Sequence, residues 1–201
     1  MSTRAAFLDR DGTITDMVYY PEHGMVDSPC SPSQLMLIEG AAAALRVFQD
    51  LGYELILVSN QPGIAKNQFT ADTHLQMVAR LEELLALEGV RLTAQYYCFH
   101  HPHAHRPQYR QDCDCRKPRP GLLRQAAEDY DVSLRDSVTI GDGLTDVQAG
   151  KAAGTETILL TTLNSLTTRL MSDLDAEPGF IARNLLESVE HVQLLQGRGV
   201  R

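Results

Sequence analysis

The sequence predicts an α/β fold with a doubly wound, mostly parallel sheet flanked by helices on both faces. Short apolar runs of about four to seven residues alternate along the chain with amphipathic stretches of helical length. Polar side chains also stand directly after several of these apolar runs. Because ligands of such sheets bind beyond the carboxyl ends of the strands, we expect the functional residues at that edge.

The order of apolar and amphipathic segments gives the predicted elements. The predicted strands cover residues 5–8, 53–59, 94–99, 137–142, 155–160 and 180–182. The predicted helices cover residues 39–52, 70–89, 120–131, 145–153 and 184–196.

Local signals support three of the helix boundaries. Gly52 is expected to end the first helix, Thr70 to cap the second, and Pro120 to open the third. In the second helix, apolar residues at helical spacing predict its buried face, namely Leu75, Val78, Leu81 and Leu85. Two long segments, 16–37 and 101–119, are left as irregular loops, and long loops in compact domains are often functional.

Length and composition indicate one globular domain over residues 1–201, with 43% hydrophobic and 22% charged residues. The net charge of −8 argues against a nucleic-acid partner. The sequence has neither a signal peptide nor an apolar run of the ~18 residues that would span a membrane. We therefore expect a cytoplasmic monomer without a membrane partner, in which four cysteines favour metal binding over disulfides.

Charged and polar side chains gather after the predicted strands and just before the third helix. The stretches that carry them are "FLDRDGT", "VSNQPG", "CRKPRPG" and "IGDGLTD". Oxygen ligands without a nearby imidazole favour Mg²⁺, and a hydroxyl with a lysine suits the oxygens of a phosphoryl group. An aspartate can attack phosphorus, and a second carboxylate can transfer protons. The candidate residues are Asp9, Asp11, Ser59, Asn60, Arg116, Lys117, Asp142 and Asp146.

At this point the chain resembles the haloacid dehalogenase-like (HAD) phosphatases, whose four motifs match these stretches in order. The resemblance implies a Rossmann-like fold and a Mg²⁺-dependent phosphomonoesterase that works through an aspartyl-phosphate. It makes Asp9 the nucleophile and Asp11 the acid and base. Asp9, the Asp11 carbonyl and Asp142 would hold Mg²⁺, while Ser59 and Lys117 would bind phosphoryl oxygens. Asp146 would orient the metal's waters or Lys117 from outside, and Asn60 and Arg116 would contribute to phosphate or substrate binding.

The segment 98–115, "CFHHPHAHRPQYRQDCDC", carries a second group of ligand-type residues. Cys98, His100, Cys113 and Cys115 suit a tetrahedral structural Zn²⁺, which would hold together a loop with little apolar content. By spacing alone His101, His103 and His105 remain alternative ligands. Cys30 stands apart and is expected to be an unligated thiol.

The zinc loop (residues 98–115) together with "NQPGIA" resembles the bacterial D-glycero-D-manno-heptose-1,7-bisphosphate 7-phosphatase family, whose zinc ligands align with those four residues. The resemblance implies removal of the 7-phosphate in the synthesis of nucleotide-activated heptose. Two positions depart from the family pattern: Ser59 replaces a frequent threonine, and Gly143 replaces a frequent lysine or other polar residue.

The segments between the motifs are too short for a separate cap domain, so we expect a capless enzyme with an open crevice. Arg116, Lys66 and Arg110 are candidates for contacting a distal phosphate. Histidinol phosphatase and polynucleotide 3′-phosphatase remain alternatives on the same scaffold. A zinc-containing binding module without catalysis is the alternative from another class.

Overall fold

A computed structural model describes residues 3–162 and 165–198. Its main sheet has six strands in the order β5-β4-β1-β6-β7-β8, and every neighbouring pair is parallel. These strands are β1 (Arg4–Leu8), β4 (Tyr53–Asn60), β5 (Ala94–Cys98), β6 (Val138–Gly141), β7 (Glu156–Leu160) and β8 (Phe180–Ala182). The predicted parallel sheet is confirmed.

Helices cover both faces of this sheet. They are α1 (Ala41–Asp50), α2 (Ala71–Leu87), α3 (Gly121–Asp129), α4 (Leu144–Ala153), α5 (Ser165–Asp173) and α6 (Leu185–Arg198). The predicted strands and five of these helices match the structure within a few residues, whereas α5 was not predicted. Within the described residues, no helix combines the length and apolar character that crossing a membrane requires.

The strands are buried on both faces because successive side chains point to opposite sides of the sheet. Ala6 and Leu8 of β1 join one apolar cluster, which contains side chains of α1 and α6. Ala5 and Phe7 join the other cluster, which contains side chains of α3. This double burial explains why the strands appear in the sequence as nearly continuous apolar runs.

The segment 16–37 is not entirely irregular, contrary to the sequence-based expectation. It contains an antiparallel hairpin of β2 (Val18–Tyr20) and β3 (Met25–Asp27), followed by one turn of 3₁₀ helix at Pro32–Gln34. The hairpin strands have three residues each and are largely exposed. They carry no buried alternation from which a strand could be predicted.

The buried face of α2 also differs from the prediction. Thr70 caps the helix as expected, since its hydroxyl accepts a hydrogen bond from the backbone N–H of Thr73 at 3.1 Å. Leu75, however, is 64% exposed, and the prediction that it lies on the buried face is wrong. His74 and Met77 are buried instead, together with Leu81 and Leu85.

Candidate active site

The predicted carboxylates meet at the point where the sheet reverses its order. Asp9 follows β1 and Asp142 follows β6, and these strands are neighbours. The backbone N–H of Asp9 donates to the carbonyl of Ile140 at 3.0 Å. From β1 the chain continues to strands on one side, and from β6 to strands on the other. This is a topological switch point, where open α/β sheets form their binding crevice.

Three acidic side chains surround one lysine at this crevice. Carboxylate oxygens of Asp9, Asp142 and Asp146 lie within 4.8 Å of one another. The ammonium of Lys117 is buried and lies 3.0 Å from Asp9 Oδ1 and 2.5 Å from Asp146 Oδ1. It also donates to the carbonyl of Val58 at 2.7 Å. One cation therefore offsets three carboxylates, which leaves a net negative charge that a divalent metal ion would neutralise.

The pKa values in this cluster reflect its crowding. Desolvation and the neighbouring carboxylates of Asp9 and Asp146 raise the pKa of Asp142 to about 7. Because Asp142 is exposed to solvent, water screens part of this effect. Burial alone would lower the pKa of Lys117, but Asp146 and Asp9 outweigh burial and raise it. Lys117 is thus a permanent cation at neutral pH.

Two glycines allow the acidic side chains to approach the backbone. Gly12 has a φ of +77°, and a Cβ atom there would lie 2.2 Å from Asp142 Oδ2. A Cβ atom on Gly141 would lie 2.3 Å from the Cγ of Asp146. The glycine of "DRDGT" therefore serves the carboxylate that follows β6 as well as its own turn.

Ser59 and Asn60, at the end of β4, are placed on the lysine side of the crevice. The Asn60 side chain donates to the Lys117 carbonyl at 3.0 Å and accepts from the Lys117 N–H at 3.1 Å. The buried hydroxyl of Ser59 accepts a hydrogen bond from Gln61 Nε2 at 3.2 Å. The Asn60 amide thus holds the backbone of Lys117, and its part in phosphate binding stays a prediction.

Asp11 has a different environment from Asp9. Its side chain is 7% exposed and forms a bidentate ion pair with Arg10, whose Nε and Nη2 lie 2.8 and 2.9 Å from its oxygens. Gln61 and Thr15 donate to the same carboxylate at 2.7 and 3.0 Å. The Asp11 carboxylate is not part of the acidic group around Lys117 among the described residues.

The predicted zinc ligands lie together in the loop beyond β5. The ligand atoms of Cys98, His100, Cys113 and Cys115 lie within 4.8 Å of one another. Cys115 Sγ is 3.1 Å from Cys98 Sγ and 3.2 Å from both Cys113 Sγ and His100 Nδ1. Ligands of tetrahedral zinc stand roughly 3.5–3.8 Å apart, as follows from the usual bond lengths. Cys98 Sγ lies 3.7 Å from Cys113 Sγ and 3.9 Å from His100 Nδ1, so the separations lie on both sides of this range. Three sulfurs and one imidazole gathered in this way suit a structural zinc ion.

The other candidates lie outside this cluster. His101, His103 and His105 are absent from the ligand group that the described residues form. Cys30 lies beyond the hairpin, where its backbone N–H donates to Gln34 Oε1 at 2.8 Å.

The zinc loop is tied to the segment that carries Lys117. The guanidinium of Arg116 donates to the carbonyl of His100 at 3.1 Å. Arg110 donates twice to the carbonyl of Ala104, at 3.0 and 2.7 Å. Burial and the charges of Arg116 and Lys66 lower the pKa of His101. Arg116 and Lys66 therefore both lie near His101 in the zinc loop.

The structure thus brings together Asp9, Lys117, Asp142 and Asp146 in one group and the four zinc-type ligands in another. The site residues predicted from the sequence do not include Arg10, Gln61 or Thr15, which enclose Asp11. An arginine between two aspartates did not reveal this arrangement, because an arginine beside an acidic motif is usually solvated.

This fold and this acidic crevice define a hydrolase of the HAD-like class. A model of the HAD-hydrolase-like family matches residues 114–188. The chain is also similar in structure to D,D-heptose 1,7-bisphosphate phosphatase from B. bronchiseptica, which was solved with magnesium and phosphate. That comparison has a TM-score of 0.77 at 29% identity and covers 97% of this chain and 99% of the other.

Two curated relatives define the family more narrowly. Both are named D-glycero-beta-D-manno-heptose-1,7-bisphosphate 7-phosphatase. The protein from Pasteurella multocida is 41% identical over 75% of this chain and 77% of its own length. The protein from Escherichia coli is 38% identical over 79% of each chain. The chain belongs to the D-glycero-D-manno-heptose-1,7-bisphosphate 7-phosphatase family.

Proposed function

We propose that this chain is a Mg²⁺-dependent phosphomonoesterase that removes the 7-phosphate of D-glycero-D-manno-heptose 1,7-bisphosphate through an aspartyl-phosphate. The observation that best supports the proposal is that the contacts of the Asp9 carboxylate hold one of its oxygens and leave the other to react. Its Oδ1 accepts from the Arg10 N–H at 2.8 Å and lies 3.0 Å from the Lys117 ammonium. Both contacts fall on the same oxygen, so Oδ2 is the atom that can attack phosphorus.

The chain's own residues divide the chemistry between them. Asp9 Oδ2 forms the bond to phosphorus while the bond to the sugar oxygen breaks. Lys117 neutralises charge on the phosphoryl oxygens. The Ser59 hydroxyl accepts a hydrogen bond from Gln61 and donates its own hydrogen to a phosphoryl oxygen. Asp11 gives a proton to the departing oxygen and later takes one from the water that hydrolyses the aspartyl-phosphate.

We propose two metal ions for the two ligand groups. Asp9, Asp142 and the Asp11 carbonyl would hold Mg²⁺, with Asp146 orienting Lys117 through the ion pair at 2.5 Å. When bound, Mg²⁺ supplies positive charge that offsets the carboxylates and the phosphoryl oxygens. The four zinc-type ligands would hold Zn²⁺ as a structural ion, because a closed set of four ligands leaves no open position for chemistry.

The positive side of the zinc loop is proposed to bind the distal phosphate. Arg116 and Lys66 both act on His101, so their charges converge there. The Ala104 carbonyl accepts from two nitrogens of Arg110, whereas the His100 carbonyl accepts from one nitrogen of Arg116. We therefore assign the contact to Arg116 and Lys66 before Arg110, which refines the three candidates named from the sequence.

We further propose that residues 1–201 form a single domain that acts as a cytoplasmic monomer in nucleotide-activated heptose synthesis. The six-stranded sheet and both helical layers draw on segments from β1 to α6, which supports one domain. The net charge of −8 supports a small-molecule substrate over nucleic acid.

The test is hydrolysis by the purified chain with and without Mg²⁺, followed by ³¹P NMR to identify which phosphate leaves. Both anomers of the heptose bisphosphate, histidinol phosphate and fructose 1,6-bisphosphate are compared. We expect selective loss of the 7-phosphate and its abolition in Asp9→Asn, with the exposed Asp50→Asn as the matched control. Absence of Mg²⁺-dependent turnover on every substrate would favour a binding module, and preference for histidinol phosphate would reassign the substrate.

A further inference from the structure

Arg10 is the largest side chain in the fully buried part of this protein, at 1% exposed. A buried guanidinium is costly unless its charge and its N–H groups are matched. Arg10 stands between Asp9 and Asp11 in the sequence, and its side chain reaches the buried Asp11 and Gln61. We therefore looked for a function of the Arg10 side chain that offsets the cost of burying its charge.

The contacts of Arg10 converge on one carboxylate. Its Nε and Nη2 pair with the two oxygens of Asp11 at 2.8 and 2.9 Å. Nη2 also donates to Gln61 Oε1 at 2.8 Å, and Gln61 Nε2 donates back to Asp11 Oδ2 at 2.7 Å. Arg10, Gln61 and Asp11 thus form a closed ring of hydrogen bonds, and Thr15 adds a further donor at 3.0 Å. Every polar atom of the Asp11 side chain accepts two bonds.

His74 and Tyr97 also lie near Arg10. His74 is buried, and desolvation and the Arg10 charge lower its pKa to about 4, so it is neutral. Its ring makes edge contacts with Tyr97 and Phe99, at centroid distances of 4.6 and 4.8 Å. Among the described residues, Arg10 Nη1 has no hydrogen-bond partner. Nε and Nη2 of the guanidinium are therefore held by Asp11 and Gln61.

We propose that Arg10 and Gln61 are positioning residues that fix the Asp11 carboxyl group for proton transfer, a role that rests on the proposed phosphatase function. In the first step Asp11 is protonated and one donor of the ring is released; Asp9 bonds to phosphorus, the bond to the leaving oxygen breaks, and that oxygen takes the Asp11 proton. The ring with all four hydrogen bonds is the state of the Asp11 carboxylate after this transfer. In the second step water bonds to phosphorus, the bond to Asp9 breaks, and Asp11 recovers a proton from the water. Both side chains are buried, at 1% and 2% exposed, so each acts through the orientation of Asp11.

The requirement for this proton depends on the leaving group. An alkoxide is a poor leaving group and needs the proton as the bond breaks. The p-nitrophenolate ion leaves readily without one. A misplaced Asp11 should therefore slow the first step with a sugar phosphate far more than with p-nitrophenyl phosphate. A general disturbance of the crevice would slow both substrates alike.

The experiment compares Arg10→Lys and Gln61→Leu with the wild type and with two surface controls, Arg46→Lys and Gln76→Leu. Arg10→Lys keeps the positive charge but loses the two-pronged contact, and Gln61→Leu replaces one side of the ring with a neutral side chain of similar size. Steady-state kcat/KM is measured for heptose bisphosphate. Rapid-mixing kinetics follow the first release of p-nitrophenolate, and circular dichroism monitors folding.

We expect kcat/KM for heptose bisphosphate to fall roughly 100-fold in both variants, within the usual contribution of proton transfer. The first release of p-nitrophenolate should stay within about threefold of wild type, and it should become a burst near one equivalent per chain because the second step is slowed. Equal losses on both substrates, or no loss on either, would overturn the proposal. A wild type that turns over neither substrate would instead defeat the proposed function itself.

Discussion

The side-chain amide of Asn60 is hydrogen-bonded to both backbone polar groups of Lys117, at 3.0 Å to the carbonyl and 3.1 Å from the N–H. Asn60 ends β4, and Lys117 precedes α3. This contact joins two segments that are distant in sequence and holds the lysine backbone while its ammonium reaches Asp9. Pre-organisation of the cation therefore depends on a residue that does not itself carry charge.

Replacement of Asn60 by alanine is expected to lower kcat roughly tenfold, because even small displacements of a catalytic group weaken transition-state contacts. Two hydrogen bonds are also lost, which should lower the free energy of unfolding by about 1–3 kcal/mol. Mg²⁺-dependent turnover and urea unfolding measure the two effects, with Gln76→Ala on the exposed face of α2 as control. Unchanged kcat in a variant with reduced stability would show that Asn60 contributes to folding only.

Gly12 gives a second prediction, because a side chain there would both strain the backbone and displace Asp142. Gly12→Ala would place a Cβ atom 2.2 Å from Asp142 Oδ2, at a φ of +77°. We expect it to weaken Mg²⁺ binding at least tenfold, measured by calorimetry, since one ligand must shift.

Gly40→Ala is the matched control for this substitution. Gly40 has a φ of +79°, and no atom lies within 4 Å of the position that its Cβ would take. The free energy of unfolding of both variants should fall by a similar amount, about 1–2 kcal/mol, because alanine is strained in the left-handed conformation. Equal Mg²⁺ affinities in the two variants would show that Gly12 matters only for its turn.

The sequence could predict that Asp9 and Asp142 lie close together, because parallel strands bring their carboxyl ends to one edge of the sheet. Asp9 and Asp142 are far apart in sequence, yet each follows an apolar run, and β1 and β6 are paired in the sheet. The periodicity of α2 was less informative. Two sets of residues at helical spacing, one displaced by one position from the other, could each form the buried face of α2. The contacts of His74 with Tyr97 and Phe99 decide between them.

The ring around Asp11 could not be predicted from local pattern. Arg10 and Gln61 are 51 positions apart and meet only because β1 and β4 are neighbours in the sheet. An arginine beside an acidic motif is usually solvated. Its burial depends on the tertiary packing of α2 against the crevice, which no short sequence window contains.

A third prediction follows from the pKa of Asp142, which is about 7 in the folded chain against an ordinary value of 3.8. The folded state therefore holds this proton more firmly than the unfolded state between these two values. The resulting stability is fully present below the ordinary value and is lost as pH rises through 7. Without metal, the free energy of unfolding should fall from pH 5 to pH 8, and Mg²⁺ should restore it at pH 8.

Mg²⁺ must also displace this proton below pH 7. Its apparent affinity should therefore rise about tenfold per pH unit up to 7 and level off above. Calorimetric titrations from pH 5.5 to 8.5 measure this slope. Asp142→Asn should weaken Mg²⁺ binding and reduce the pH dependence of stability, leaving the part that comes from Asp146, whose pKa is raised to about 6. Asp50→Asn should leave both properties unchanged. A flat affinity across this range in the wild type would contradict the assignment.

The last prediction concerns the zinc loop. Its His100 carbonyl accepts a hydrogen bond from the Arg116 guanidinium at 3.1 Å. Cys113→Ser removes one of four ligands and should lower the zinc content from about one ion per chain toward zero. Cys30→Ser, a thiol outside the cluster, should keep it. Atomic absorption measures the metal, and hydrogen exchange over residues 98–119 measures the order of the loop.

Loss of zinc should act on substrate binding more than on chemistry, because Asp9 and Lys117 lie outside the loop. We expect Cys113→Ser to raise KM for heptose bisphosphate at least fivefold, through displacement of Arg116, while KM for p-nitrophenyl phosphate changes little because it has no distal phosphate. Full zinc occupancy in Cys113→Ser would remove this cysteine from the ligand set. Equal KM changes for both substrates would instead show that the loop supports the whole crevice rather than the distal phosphate alone.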